Sequence, residues 1–272
     1  MSRLMILFLA FFLSACGRVD QETPARPERP VRIVSLDYCA DQYVLKLVDR
    51  DRILALSPDA GREFSYMRAA AEGVPTVRPN AEDVLILKPD LVVRSYGGGP
   101  NAAAFFEKAG VPVVDIGWTP DIPSVMENTQ RIADALGESE RGAAVNEDMQ
   151  DRLARLKKRS TGETALYMTP AGVTTGPGSL IHEMIVAAGL TNMEDQYGWR
   201  SLPLETLAYE KPDVVAAAFF GSRTNHPDAW SPMKHPVAKA QLTQSEVVSL
   251  EGAWTSCSGW FLMDAVEALA GG

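Results

Sequence analysis

The chain has 272 residues, 46% hydrophobic and 22% charged, with a formal net charge of −9 and a pI near 4.9. That is enough apolar material for one large lobe or two ordinary ones, and the acid excess excludes the basic face that nucleic-acid binding needs.

Residues 1–15 read as a processing segment rather than part of the fold. One positive charge in "MSR" precedes the ten-residue apolar run "LMILFLAFFL", too short to span a bilayer as a stable helix. "LSAC" then places small residues immediately before Cys16. This has the form of a bacterial lipoprotein signal peptide, with Cys16 as the lipidated first residue; a plain signal peptide with an incidental Cys is the alternative. Residues 16–30 are polar, hold three prolines, and read as a flexible tether. No later stretch reaches the length of about 18 apolar residues needed to span a membrane.

From residue 31 onward, short β-branched runs alternate with segments of helical period. Strands are predicted at 31–36, 52–56, 90–95, 111–116, 164–169, 213–220 and 246–251. Most are continuous apolar runs, as in strands covered on both faces. Helices are predicted over 40–48, 101–110, 123–137, 180–189 and 259–270, with Gly110, Gly137 and Gly189 where C-terminal caps fall. The alternation implies α/β units with mainly parallel sheets. Residues 138–159 break it: Val145, Met149, Leu153 and Leu156 recur at helical spacing, with acids at the start and basic residues at the end. This predicts one long connecting helix.

On either side of that helix the chain repeats a phrase. "EDVLILKPDLVV" (82–93) and "ETLAYEKPDVVA" (205–216) share Glu, then Lys-Pro-Asp, then a β-branched run. Each reads as a short helix begun near the Glu, stopped by Pro89 or Pro212, and followed at once by a strand. The reading is α/β, with two Rossmann-like lobes of mainly parallel sheet joined by a single long helix. The boundaries are 31–120 for the N-terminal lobe, 121–160 for a helical region including the connector, and 161–272 for the C-terminal lobe.

The stretches "RIVSL", "DQYVLKLVDRDRILALS", "PNAEDVLILKPDLVV", "GVPVVDI", "TTGPGSLIHEMIVAAGLTNM", "LPLETLAYEKPDVV" and "EGAW" resemble the substrate-binding proteins of ABC importers for iron–siderophores and vitamin B12. The resemblance runs from about residue 31 to the end. It implies ligand capture in an interlobe cleft and an acid on each lobe, here Glu82 and Glu205, docking onto arginines of the permease. It further implies a periplasmic, monomeric protein working with an ABC permease and its ATPase. The ligand would be a metal chelate (iron–siderophore or haem) or a cobalamin, and no cofactor is expected. A sensory or scaffold lipoprotein reusing the two-lobed fold is the rival reading.

Enzyme signatures such as G-x-x-x-x-G-K-[ST], H-E-x-x-H, G-x-S-x-G and C-x-x-C do not occur. His182, His226 and His235 lack ligand-like spacing, so no bare-metal site is expected. "GPGS" (176–179) reads as a structural turn ahead of an anion loop. Ligands of α/β lobes sit beyond the carboxyl ends of strands. That rule selects Tyr38, Cys39, Arg94, Tyr96, Trp118 and Thr175 on the first part of the chain, and Trp199, Arg223, Trp254 and Cys257 on the second. The aromatic and Arg groups suit a broad, flat, partly anionic ligand. "SLDYCADQ" departs from the Ser/Thr-rich form common in the family. For Cys39 and Cys257 three readings stand open: a disulfide between lobes, two thiolates on a soft metal centre, or two separately buried thiols.

Overall fold

The structure, a computed structural model, describes Ala25 and residues 27–160, 162–218 and 231–271. Cys16 and Arg223 lie outside the described residues, as do the signal segment and most of the tether. Among the described residues no helix is long and apolar enough to cross a membrane.

The first lobe runs β1 (Ile33–Ser35), α1 (Tyr38–Leu47), β2 (Ile53–Ala55), α2 (Ala81–Ile86), β3 (Leu91–Arg94), α3 (Ala102–Lys108) and β4 (Val113–Asp115). Its four strands pair in parallel in the order β2-β1-β3-β4. Two helices follow, α4 (Ile122–Ala135) and α5 (Ser139–Arg155). The second lobe runs β5 (Thr164–Met168), β6 (Val173–Thr175), α6 (Leu180–Ala187), β7 (Thr191–Asn192), β8 (Trp199–Ser201), α7 (Leu204–Leu207), β9 (Val214–Ala217), α8 (Pro236–Gln244), β10 (Glu246–Ser249), α9 (Gly252–Thr255) and α10 (Leu262–Ala270). Its main sheet is again parallel, in the order β10-β9-β5-β7, and β6 and β8 form a separate antiparallel pair.

The pleat explains the unbroken apolar runs. In β1, Ile33 joins a large core while Val34 joins a second one on the opposite face. In β9, Val214 and Ala216 enter that same large core, and Val215 and Ala217 turn to a third. The central strands β1, β3, β5 and β9 are covered on both sides, so no alternation survives in them, whereas the edge strand β10 is largely exposed. The large core holds side chains of both lobes: Tyr43 and Val93 belong to it together with Tyr167, Met184 and Phe261.

The repeated phrase builds the same device twice. Asp90 accepts hydrogen bonds from the Val31 and Arg32 amides at 2.9 and 3.0 Å, fixing the start of β1 against β3. Asp213 accepts from the Thr164 amide and hydroxyl at 2.8 and 2.9 Å, fixing β5 against β9. Pro89 and Pro212 are both buried at the turn. Lys88, just before Pro89, takes a left-handed φ of 51°, which reverses the chain between helix and strand.

The connector differs from the single strut predicted over 138–159. The helical part ends at Arg155, and Leu156 is extended (φ −61°, ψ 124°). At 17 residues it is about 25 Å long. It packs along α4, where Gly142 permits close approach: a Cβ there would stand 2.4 Å from the Ala133 Cβ. One end of α5 holds the first lobe, Arg141 donating to the Leu47 carbonyl at 2.8 Å. The other end holds the second, Arg152 donating to Asp264 and Glu267 of α10 at 2.6 and 2.7 Å. Arg159, predicted helical, lies beyond it and donates to the Leu269 carbonyl and to Glu246 at 2.6 and 2.8 Å.

Candidate functional site

A cavity of about 290 Å³ lies between the lobes, at the carboxyl ends of the parallel strands. Ser95 and residues 116–119 line it from the first lobe, after β3 and β4. Ser179 to Ile181, Met184, Trp199 and residues 255–258 line it from the second. Cys39 and Cys257 are both in the wall and are joined in a disulfide, with Cα atoms 5.5 Å apart. Of the three arrangements open for the pair, the structure has the covalent bridge between lobes.

The bridge stands within a larger clasp. Tyr38 donates to the Ser256 carbonyl at 3.4 Å and Tyr43 to the Ser258 carbonyl at 3.2 Å. Burial pushes the Tyr43 phenol up to about 12, so it stays a donor at any physiological pH. The Tyr66 hydroxyl donates to Asp264 at 2.8 Å, and its ring stacks on Phe261 at 4.9 Å. Trp260 meets Tyr43 edge-on at 5.5 Å. Residues 256–264, in the second lobe's sequence, are thus docked on α1 and on the loop after β2.

Asp37 organises the first-lobe wall. Its carboxylate caps α1 at the Ala40 amide (3.0 Å) and also accepts from the amides of Ser95, Tyr96 and Gly97 at 2.7, 3.1 and 2.9 Å. One carboxylate therefore sets both the helix that carries Cys39 and the loop that carries Ser95. Gly97 is required there, since a Cβ would fall 2.4 Å from the Leu36 carbonyl oxygen.

Behind this wall lies Asp41, fully buried, accepting from the Ser57 amide and hydroxyl at 3.1 and 2.6 Å. Desolvation raises its pKa from 3.8 to about 6, against the lowering effect of those hydrogen bonds. A raised folded-state pKa gives stability that is complete below pH 3.8 and lost as pH rises through about 6. Asp41→Asn is accordingly expected to stabilise the protein at pH 8 by up to about 3 kcal/mol, with the gain vanishing at pH 4. Urea unfolding midpoints of both proteins at the two pH values check it; a gain independent of pH contradicts it.

Of the residues expected in the cleft, Cys39, Trp118, Trp199 and Cys257 line the cavity. Trp118 and Trp199 face it from opposite lobes and keep 75% and 55% of their surface exposed. Tyr38 touches the wall through Ser256, and exposed Tyr96 meets the Tyr38 ring edge-on at 6.0 Å. Three expectations are corrected. Arg94 is buried in the first lobe, donating to the Gly99 carbonyl at 3.1 Å and lying 3.8 Å from Asp115. Thr175 is buried and donates to the Gly198 carbonyl at 3.1 Å, holding β6 near β8. Trp254 packs against the large core and is not among the lining residues. Sequence reasoning does not single out Thr119, Met184 or Ser258, because small hydroxyls and a core-spaced Met carry no signal of their own.

The "GPGS" turn is structural: the Ser179 hydroxyl accepts from the His182 amide at 3.2 Å and caps α6. A Cβ on Gly176 would lie 2.1 Å from the Gln196 carbonyl oxygen. His235 caps α8 through Nδ1, which accepts from the Val237 amide at 3.2 Å. Glu82 and Glu205 are both exposed in the first turns of α2 and α7, equivalent places in the two lobes.

A family model described as periplasmic binding protein matches residues 33–227. The chain belongs to that family. It is a family of binding proteins rather than enzymes, and it places this periplasmic binding protein's work outside the cytoplasm. Solved structures share the fold. The periplasmic haem-binding protein HutB of Vibrio cholerae is 18% identical with a TM-score of 0.69, covering 88% of this chain and 97% of that one. The periplasmic vitamin B12-binding protein BtuF of the same organism is 20% identical with a TM-score of 0.66, covering 90% and 97%. A periplasmic haem-binding protein from Pseudomonas aeruginosa is 21% identical with a TM-score of 0.64, covering 89% and 91%. Among curated proteins, none matches the sequence.

Proposed function

We propose that this periplasmic binding protein is anchored by lipid at Cys16 and captures a metal chelate or corrinoid in its interlobe cavity for delivery to an ABC permease. One observation carries the reading: a cavity shared by both lobes, with an exposed indole, Trp118 or Trp199, from each. Two such faces suit a flat ring or an aromatic chelator. The haem and vitamin B12 ligands named for proteins of the same fold support this ligand class.

Titration of the purified protein with cyanocobalamin, haem and a panel of ferric siderophores is expected to quench tryptophan fluorescence saturably with one of them. Trp118→Ala and Trp199→Ala should each weaken that binding about tenfold, the loss of one aromatic contact. No response to any of the three classes would overturn the proposal.

Glu82 and Glu205 are proposed to dock on the permease, one acid per lobe. Reversing both, Glu82→Lys with Glu205→Lys, is expected to abolish uptake in cells while leaving ligand affinity within about twofold, because both acids are exposed and neither lines the cavity. Unchanged uptake would favour a sensory or scaffold role instead.

A further inference from the structure

We infer that each docking acid works with an apolar anchor one helical turn further on, Glu82 with Ile86 and Glu205 with Tyr209, and that the permease offers each pair a cation beside an apolar socket. The inference rests on the docking role proposed above for the two acids and adds the surface through which they bind.

The repeated phrase sets the register. Glu82 and Glu205 each stand six residues before the Lys of Lys-Pro-Asp, so Val84 corresponds to Leu207 and Ile86 to Tyr209. Val84 and Leu207 are buried, each in a core on one face of its own lobe's sheet. Two residues on, Ile86 and Tyr209 keep 77% and 92% of their surface exposed. One exposed apolar side chain is ordinary on a protein surface. Here it recurs at the same register in both lobes, where the inward position is already filled by Val84 or Leu207.

The backbone places acid and anchor side by side. Ile86 is the last residue of α2, so Glu82 and Ile86 are i and i+4 neighbours on one face. The coil continues past α7: the Ala208 amide donates to the Leu204 carbonyl at 3.1 Å and the Glu210 amide to the Thr206 carbonyl at 2.9 Å, each four residues back. Tyr209 therefore stands one turn beyond Glu205.

The pairing fits a protein partner. An exposed ion pair alone contributes little to binding. A large apolar side chain seated in a pocket beside it adds affinity and keeps water from the pair. Because the device occurs once per lobe, it matches a permease built of two like halves, each with the same socket. Ile86 and Tyr209 differ in size, so such a socket is selected for apolarity and breadth rather than for one exact shape.

The test uses the full chain in intact cells, with the photo-cross-linker p-benzoylphenylalanine in place of Ile86 or of Tyr209. Each should capture the same multi-spanning importer subunit, and a chain carrying the cross-linker at both positions should give a further product holding two copies of it. Uptake is then measured at limiting amounts of the protein, with whichever of cyanocobalamin, haem and the ferric siderophores the chain binds. Ile86→Ser or Tyr209→Ser should lower it about tenfold. Ile86→Tyr and Tyr209→Ile, which keep an anchor, should recover most of that loss. Ligand affinity and the unfolding midpoint should stay within error in all four, since both side chains are exposed and neither lines the cavity. Full uptake by the Ser variants, where Glu82→Lys with Glu205→Lys has lost it, overturns the anchors and leaves the acids standing. Capture of lipid alone, or of unrelated polypeptides at the two positions, also overturns the inference, the first by assigning the side chains to the membrane surface. Full uptake by the Ser variants and by the charge-reversed protein overturns the docking reading and this one together.

Discussion

Replacing Cys39 and Cys257 together with serine is expected to lower the free energy of unfolding by about 3–5 kcal/mol. The two cysteines are 218 positions apart. A crosslink of that span removes many extended conformations from the unfolded chain and lies near the upper end of what a single bridge contributes. The folded state should tolerate the change, because the surrounding clasp does not depend on sulfur: Tyr43, Tyr66, Trp260 and Phe261 still hold residues 256–264 on the first lobe. Urea unfolding followed by circular dichroism, without reductant, measures the loss. Wild-type protein reduced by a phosphine should match the double variant. A difference under about 1 kcal/mol would mean that the aromatic packing alone restrains the lobes and the bridge adds little.

The second large effect is expected at Glu138. Its side chain is nearly buried and receives the guanidinium of buried Arg52, with Arg29 at 3.2 Å and Arg141 at 3.4 Å. Arg52 also donates to the Pro30 and Leu136 carbonyls at 2.7 and 2.6 Å. This knot gathers the start of the first lobe, the turn before β2 and the α4–α5 junction. Glu138→Ala leaves the Arg52 charge buried without its counter-charge, and the cost should be about 3–5 kcal/mol. Adding Arg52→Met to Glu138→Leu should recover part of the loss, since an apolar pair avoids the stranded charge but gives up two carbonyl partners. Thermal unfolding of the three variants against wild type decides it; a single-variant loss below about 1 kcal/mol would mean that water reaches the knot.

Much of the architecture is legible because it rests on local chemistry. Unbroken β-branched runs mark strands covered on both faces, and Gly110, Gly137 and Gly189 all take the left-handed φ expected just past a helix end. The repeated Lys-Pro-Asp is readable as helix, turn and strand, although the work done by Asp90 and Asp213 needs the neighbouring strand to be seen. The two- and three-residue strands β6, β7 and β8 are too short to carry a period. The sequence pattern makes the strut longer than it is because its terminal basic residues fit a helix dipole, whereas Arg159 leaves the helix to hold Glu246 and the last turn of α10.

The site is legible by position but not by direction. The rule that ligands sit beyond strand ends finds Cys39, Trp118, Trp199 and Cys257, yet it cannot say which way a side chain turns. Arg94 is the last residue of β3 and turns inward; Trp254 packs on the core. The clasp is not legible at all, since Tyr43 and Ser258 are 215 positions apart and Tyr66 and Asp264 are 198 apart.

The apolar interior shared by Ile33, Tyr43, Tyr167 and Phe261 does not stop where one lobe ends. Two halves that bury each other's surface are coupled in unfolding, because loosening either one exposes the other's packing to water. In outline the molecule has two parts. The expected consequence is a single unfolding transition for both parts, which scanning calorimetry would show as one peak.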